Sequence, residues 1–455
     1  MKLSSRVSVV APVVILLVAG SSTTGCESIL GDYTVGATVF QPDGGNAGAD
    51  GGGVGTDGGG GDGSMPPLCK GDTVAACGAS CVACKTPAGG SVACKVGACE
   101  QTCTTATQTA CGDSCLDTSI SALHCGRCGH SCEAGQCVGG ACQPFPLATG
   151  FTAVHAIDVA ANGLVVSADN SLTLCTLPGG CTATTLQTVG TGFAQLGDAA
   201  VAGADVYFQT GQGDFSLISK CPVAGCPAGG PTVIENVVND SIGRIVAGPS
   251  NVAWSRTQSF YGPYIRSCTL PACSSVLALR PIPPDPSTNA GHETTIPIVT
   301  MAAGPTKLLY ATSIYNDGVT HLRECALGAA CPTPTAIDTG ASTVVALTQT
   351  GGLFYGASGN GSGGQVIWSA SDAAPTTRTP LVSDANGISD IAVDASGIYW
   401  INATTGKVQV CKTLTGCAGG GALLATGQTG ATRIRVDASF VYWMTPTAVW
   451  KLAKP

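Results

Sequence analysis

"VDASGIYW" (residues 393–400) returns as "VDASFVYW" (436–443). Each copy reads as the end of a small apolar strand, a turn-forming pair, and the aromatic opening of a second strand. With Ile398 and Val441 as anchors, the same pattern stands at Leu353 ("QTGGLFY"), Leu308 ("GPTKLLY"), Val252 ("GPSNVAW"), Val206 ("AGADVYF") and Leu164 ("AANGLVV"). The intervals in chain order are 42, 46, 56, 45, 45 and 43 residues, and the longest carries the extra loop "RPIPPDPSTNAGHET". Two positions after each anchor lie Val166, Phe208, Trp254, Tyr310, Tyr355, Trp400 and Trp443. A period of forty-odd residues holding several short alternating segments predicts an all-β, seven-bladed β-propeller. The Ala-, Val- and Gly-rich segment before each anchor suits an innermost strand, and the aromatics suit the widening space between blades.

The seventh copy is short of a strand, since only 14 residues follow Val441. "LATGFTAVHAIDVAANGL" (147–164) aligns without gaps to "LATGQTGATRIRVDASFV" (424–441). The second stretch leads out of blade six into blade seven, so the first has a strand free to complete blade seven. Phe145 to Thr149 is therefore expected to pair with Ala448 to Leu452 and close the ring, which removes the open sheet edges. The propeller then occupies 144–455.

Cysteine is used in two ways. Ten of the 25 cysteines form local pairs, Cys175/Cys181, Cys221/Cys226, Cys268/Cys273, Cys325/Cys331 and Cys411/Cys417, each where a third strand should turn into a fourth. Disulfides across such short hairpins add ~2 kcal/mol each and carry no chemistry. Fourteen more crowd residues 69–142, where the spacing C-x7-C-x3-C occurs twice. That region reads as two tandem disulfide modules with six and eight cysteines, too small to fold on an apolar core alone. Cys81-x2-Cys84 and Cys125-x2-Cys128, with His124 and His130 nearby, have the form of zinc ligand pairs. The 40 residues between their inner cysteines are far from ribbon spacing, and the reading is disulfides, with no metal and no cofactor.

Lys2 and Arg6 precede the apolar run "VSVVAPVVILLVA" and then "GSSTTGC". Thirteen apolar residues containing Pro12 make a leader, not a permanent membrane helix. The one cysteine left outside both sets, Cys26, sits where a bacterial lipoprotein leader is cut, so residues 1–25 read as signal peptide and Cys26 as the lipid-carrying anchor to a membrane. "TTGC" resembles a lipobox, with Thr23 where Leu is usual; cleavage after Ala19 or Gly20 would instead release a secreted chain. Residues 26–68, rich in Gly and Asp, form a solvated tether of about 30 Å. "GGVGTD" (52–57) begins like a calcium-binding nonapeptide but is a single copy, with Gly59 where an apolar residue should pack.

Loss of Lys2 and Arg6 with the leader takes the formal net charge from −8 to about −10, and no basic cluster tracks phosphates, which excludes nucleic acid as a partner. No G-x-S-x-G elbow occurs. "GNGSGG" (359–364) falls between strands with no helix to follow, so it is a loop and not a dinucleotide cradle. The propeller's histidines, His155, His292 and His321, are scattered, and the inner strands offer mainly Ala, Val, Thr and Gly. Asp158, Asp394 and Asp437 read as turn caps near strand ends. The loops joining second to third strands emerge on one face, the stapled hairpins on the other. On the first face Tyr261, Tyr264, Tyr315, Asn316 and His321 are the candidate binding patch, aromatic and polar.

"CGDSCLDTSISALHCGRCGHSCEAGQCVGGAC" (111–142) resembles the stigma-specific-protein-like cysteine-rich domain, through "HCGRCGHSC" and the Gly-spaced cysteines after it. The blades, with "IYW" and "VYW", resemble YWTD and NHL propellers over roughly 310 residues. The whole arrangement is similar to surface lipoproteins of myxobacterial type. That resemblance implies outer-membrane or cell-surface display on a Gram-negative envelope, and binding; it brings no catalytic residue. The functional expectation is a non-catalytic envelope protein whose propeller binds a carbohydrate, peptide or protein. The alternatives are a propeller hydrolase or lyase acting on extracellular polymers, and a purely structural envelope component.

Overall fold

The computed structural model describes residues 73–78, 82–176, 186–212, 215–238, 240–258, 262–279, 298–313, 320–331, 334–337, 343–359, 364–385, 387–417 and 420–455. The leader, Cys26, the tether, Cys69, Cys81, Cys181, His292 and the long insertion of blade four lie outside them. No helix among the described residues is long and apolar enough to cross a membrane.

Seven four-stranded antiparallel sheets make a seven-bladed β-propeller. Their innermost strands are Val154–Ala160, Ala199–Ala202, Asp240–Ala247, Ile298–Ala303, Val344–Thr350, Ile388–Asp394 and Arg433–Val436. In six blades the anchor is the second residue of the next strand and is wholly buried, as are Phe208, Trp254, Tyr310, Trp400 and Trp443 two positions on. Among the described residues the apolar core divides into seven clusters, each shared by two neighbouring blades. Small residues on the inner strands let the blades converge, and the aromatics fill the wedge as they diverge. Trp254 shows the arrangement, reaching from blade three to donate its indole N–H to Glu235 of blade two at 2.6 Å.

Phe145–Thr149 is the outer strand of blade seven. Its Phe145, Pro146, Ala148 and Thr149 face Lys451, Trp450, Val449 and Ala448 of Ala448–Ala453. The first strand of the propeller and its last thus lie in one sheet, and the ring is closed.

Blade five departs from the expected register. Gln349 faces Phe354 there, as Val393 faces Ile398 in blade six, so the anchor is Phe354 and not Leu353. Phe354 is fully buried, whereas Leu353 is 37% exposed beside the Gly351–Gly352 turn. The residue two positions on becomes Gly356, and the missing aromatic is supplied across the sheet by Trp368, its register partner. A Cβ on Gly356 would lie 2.2 Å from the Trp368 ring, so glycine is what makes room for the indole. This blade, like blade seven, has no cysteine pair. Arg378 instead stacks over Trp368 at 4.7 Å, and Asp372 reaches Thr306 and the main-chain N–H of Lys307 in blade four.

Disulfides join Cys221 to Cys226, Cys268 to Cys273, Cys325 to Cys331 and Cys411 to Cys417, each between a third strand and the segment leading to the fourth. Cys175 is also disulfide-bonded. The cysteine-rich region before the propeller is built from short two-stranded sheets, Gly90–Lys95 with Ala98–Cys103, Thr109–Cys111 with Ser114–Leu116, and Cys137–Val138 with Ala141–Cys142. It is bridged 77–94, 84–99, 103–115, 111–128, 125–137 and 132–142. None of these bridges crosses from the six-cysteine unit to the eight-cysteine unit. Bridging of this density belongs to a chain that folds in an oxidising compartment.

The eight-cysteine unit packs directly on the propeller. Cys125, Cys132, Cys137 and Cys142 share an apolar cluster with Trp443, Leu452 and Ala453 of blade seven. Lys451, with no exposed side-chain surface, pairs with Glu133 and lies 3.7 Å from the centre of the Phe440 ring. The His130 ring lies between two main-chain carbonyls, Cys125 O at 2.5 Å and Lys454 O at 2.7 Å. Lys454 in turn contacts Asp394 and the carbonyl of Asp437.

Candidate functional site: the axial cavity

A cavity of about 280 Å³ lies among the inner strands of all seven blades, lined by residues such as Asp158, Arg244, Thr300, Asp390, Arg433 and Arg435. Numbering each blade from its anchor shows why these side chains meet. An extended strand sends every second side chain to the same side. The positions eight before the anchor are Ala156, Asp198, Arg244, Thr300, Ala346, Asp390 and Arg433. Six before it come Asp158, Ala200, Val246, Ala302, Thr348, Ala392 and Arg435. Register shifts at Val154/Ala156, Ile298/Thr300, Val344/Ala346 and Ile388/Asp390 re-aim the strand just before the first of these positions.

The innermost strands have no ladder partner on the axial side, so their N–H groups need other acceptors. Side chains supply them from blade to blade. Asp158 accepts from Val201 N at 2.7 Å, Asp198 from Ile245 N at 2.9 Å, Thr300 from Leu347 N at 3.1 Å, and Asp390 from Ile434 N at 3.0 Å. Each aspartate also binds an arginine of blade seven. Arg433 lies 2.5 Å from Asp198, while Arg435 bridges Asp158 at 3.0 Å and Asp390 at 3.2 Å.

The electrostatics follow from burial. Desolvation would raise the Asp198 carboxyl, but Arg433, Arg244 and the Ile245 N–H outweigh it and hold it below the ordinary range. Desolvation works against the Arg433 guanidinium too, and Asp198, Asp390 and Asp158 together lift it above the ordinary arginine value. Arg244 differs. Burial and then the like charge of Arg433 push it down, with Asp198 and Asp390 only partly opposing.

Asp158 is therefore not a turn cap: it lies inside its strand, paired with Val165, and faces the axis. Asp394 and Asp437 do cap turns, accepting from Ser396 N at 2.9 Å and Ser439 N at 2.8 Å. The expectation of an inner ring of small neutral residues missed six charged groups. Aligning the strands on the anchors and reading down the two columns exposes all but the blade-five register.

The sequence-derived binding patch is only partly described. Tyr261, Tyr315 and Asn316 lie outside the described residues. Tyr264 is on the third strand of blade three, opposite Arg256, and His321, half-buried, is on the third strand of blade four, opposite Thr312. Two cysteine trios have their sulfurs close enough to share an ion, Cys77/Cys84/Cys99 and Cys125/Cys132/Cys142. All six are in disulfides and offer no thiolate. His155 and His321 stand on different strands of blades one and four.

No family model matches the chain, and no curated protein matches it. Among solved structures, similarity is found to a prolyl endopeptidase at 14% identity and TM-score 0.46, covering 68% of this chain and 49% of that one. The chain thus spans about half the length of that protein. YCF48 bound to D1 peptide is similar at 10% identity and TM-score 0.47, covering 69% and 95%. Hsv2 of Kluyvelomyces marxianus is similar at 10% identity and TM-score 0.42, covering 66% and 90%. These likenesses carry no argument about ligand or activity; the propeller assignment stands on the strand pairing itself.

Proposed function

We propose that this chain is an exported, non-catalytic binding protein, held at the cell envelope through a lipid on Cys26, whose propeller recognises a carbohydrate, peptide or protein. One observation carries the reading. Each of the three axial carboxylates is committed twice, to a main-chain N–H of the next blade and to an arginine. General acid–base work needs a carboxyl free to exchange a proton with substrate. Groups locked in this way serve instead to fix the ring and to present a set polar surface. The disulfide-stapled hairpins and the seven interblade cores keep that surface rigid, which lowers the ordering cost of binding. The loop face of blades three and four, carrying Tyr261, Tyr264, Tyr315, Asn316 and His321, is the outer surface proposed to contact the partner.

The test exposes the intact protein to glycan and peptide arrays, and in parallel to ester, glycoside and peptide substrates with chromogenic leaving groups. Retention on one array class without turnover supports the reading. Turnover abolished by Asp390→Asn would overturn it in favour of a hydrolase or lyase, and retention on neither array would favour a structural component. Mass spectrometry of the mature N-terminus tests the anchor: diacylglycerol on Cys26 is expected, and a chain beginning at Ser21 refutes it.

A further inference from the structure

We propose that the axial cavity binds a small monocarboxylate anion, its carboxylate gripped by the Arg244 guanidinium. This rests on reading the propeller axis as a binding site and names the ligand class it takes.

The cavity is lined by guanidinium groups that the aspartates do not fully occupy. Arg433 and Arg435 are claimed by the three aspartates, but the Arg244 guanidinium lines the cavity with no ion pair or side-chain hydrogen bond among the described residues, Asp198 and Asp390 acting on it only at longer range. Its main-chain N–H is satisfied by Ser255 Oγ at 2.8 Å, so the surplus is in the side chain. Arg433, 4% exposed, has a buried Nε with no partner, a second donor in excess. Thr300, also in the lining, accepts from Leu347 N through its Oγ and keeps a hydroxyl proton of its own. An unpaired guanidinium held near another arginine is unfavourable on its own. An anion between its donors removes that cost.

Charge and size select the anion. Three aspartates and three arginines make the axial set neutral as built. A monoanion adds one charge beside an uncommitted arginine, whereas a phosphate dianion adds two among three carboxylates. The planar guanidinium matches a carboxylate with two parallel N–H···O bonds. A volume of about 280 Å³ is many times the space one water needs, and it admits a short organic acid.

The experiment uses the intact protein and three probes at equal ionic strength and a mildly alkaline pH, where phosphate is mainly the dianion: sodium acetate, sodium phosphate and sodium chloride. Thermal unfolding and calorimetric titration are read for each. Acetate is expected to raise the midpoint saturably, with phosphate and chloride giving no saturable shift. In Arg244→Gln the acetate response should vanish while the ligand-free midpoint holds or rises, because no ion pair is lost. Arg244→Lys keeps the charge but not the fork, and should weaken acetate at least tenfold. If Arg244→Gln does not fold, Arg244→Lys alone decides. A wild-type chain without a saturable acetate shift, or acetate binding unchanged in Arg244→Lys, overturns the proposal. Array retention persisting while acetate fails would sink the carboxylate site alone and leave the binding function standing.

Discussion

Replacing Glu133 by Gln should destabilise the protein far more than replacing its partner Lys451 by Met. The two side chains form an ion pair between the cysteine-rich unit and blade seven, but their surroundings differ: Lys451 has no exposed surface, while Glu133 retains 21%. Glu133→Gln leaves an ammonium with no route to water. Removing one partner of a buried pair costs ~3–5 kcal/mol. The Phe440 ring under the Lys451 nitrogen offsets ~2 kcal/mol or more of the desolvation, but it is present in the wild type and in Glu133→Gln alike. Lys451→Met leaves a partly exposed carboxylate that water can reach, and the thioether chain fills the same apolar slot, so ~1 kcal/mol or less is expected. Gln keeps the backbone contribution constant, since Glu133 sits at φ 53° and Glu and Gln, alike in shape at Cβ, are strained alike there. Chemical unfolding followed by tryptophan fluorescence suits the measurement, because Trp443 and Trp450 stack 6.5 Å apart in the affected blade. Glu133→Gln should lower the denaturant midpoint at constant m-value and, in a thermal scan, lower Tm by about 5–10 °C, and the double variant should recover most of the loss. The opposite ranking, or a Glu133→Gln chain as stable as wild type, would show that Lys451 reaches solvent and that the docked arrangement is wrong.

Gly356→Ala should cost ~1–3 kcal/mol through overlap with the Trp368 ring, and Trp368→Phe should relieve part of it, which a double-mutant cycle will show. Deleting residues 145–149 removes the outer strand of blade seven and bares the edge of Ala448–Ala453; light scattering should report association, and a monodisperse deletion variant would refute strand-borne closure. Burial raises Tyr207, Tyr310, Tyr355, Tyr399 and Tyr442 above the ordinary 10.0, and Asp437 adds to the rise at Tyr442. Since the fold favours the protonated form, their contribution is complete below pH 10 and is lost as pH rises through the folded values; tyrosinate absorbance should appear together with unfolding rather than ahead of it. Replacing Cys221 and Cys226 by Ser should cost ~2 kcal/mol without loss of the fold, measured by equilibrium unfolding under non-reducing conditions.

Residues that act through their neighbours in the chain were legible in the sequence. The strand–turn–strand echo at 393–400 and 436–443, the closing strand aligned through "LATG", and cysteines five or six residues apart at the third-to-fourth hairpins all depend on local hydrogen bonding and alternation. The blade-five register was not legible. "GGLFY" offers two adjacent apolar anchors, and only the Trp368 ring lying over Gly356 distinguishes them. The axial charges were hidden for a different reason. A single Asp or Arg in an Ala- and Val-rich strand looks like a turn cap or a surface residue until the seven strands are aligned on their buried anchors, and its partner is visible only in the ring. Asp198 and Arg433 stand 235 residues apart, and Glu133 and Lys451 stand 318 apart. Periodicity belongs to the chain, because a strand's alternation is set by its own backbone. Neutralisation belongs to the closed toroid, because Coulomb energy and desolvation depend on distance and dielectric in space, and the assembled ring brings the axial charges within 2.5–3.2 Å.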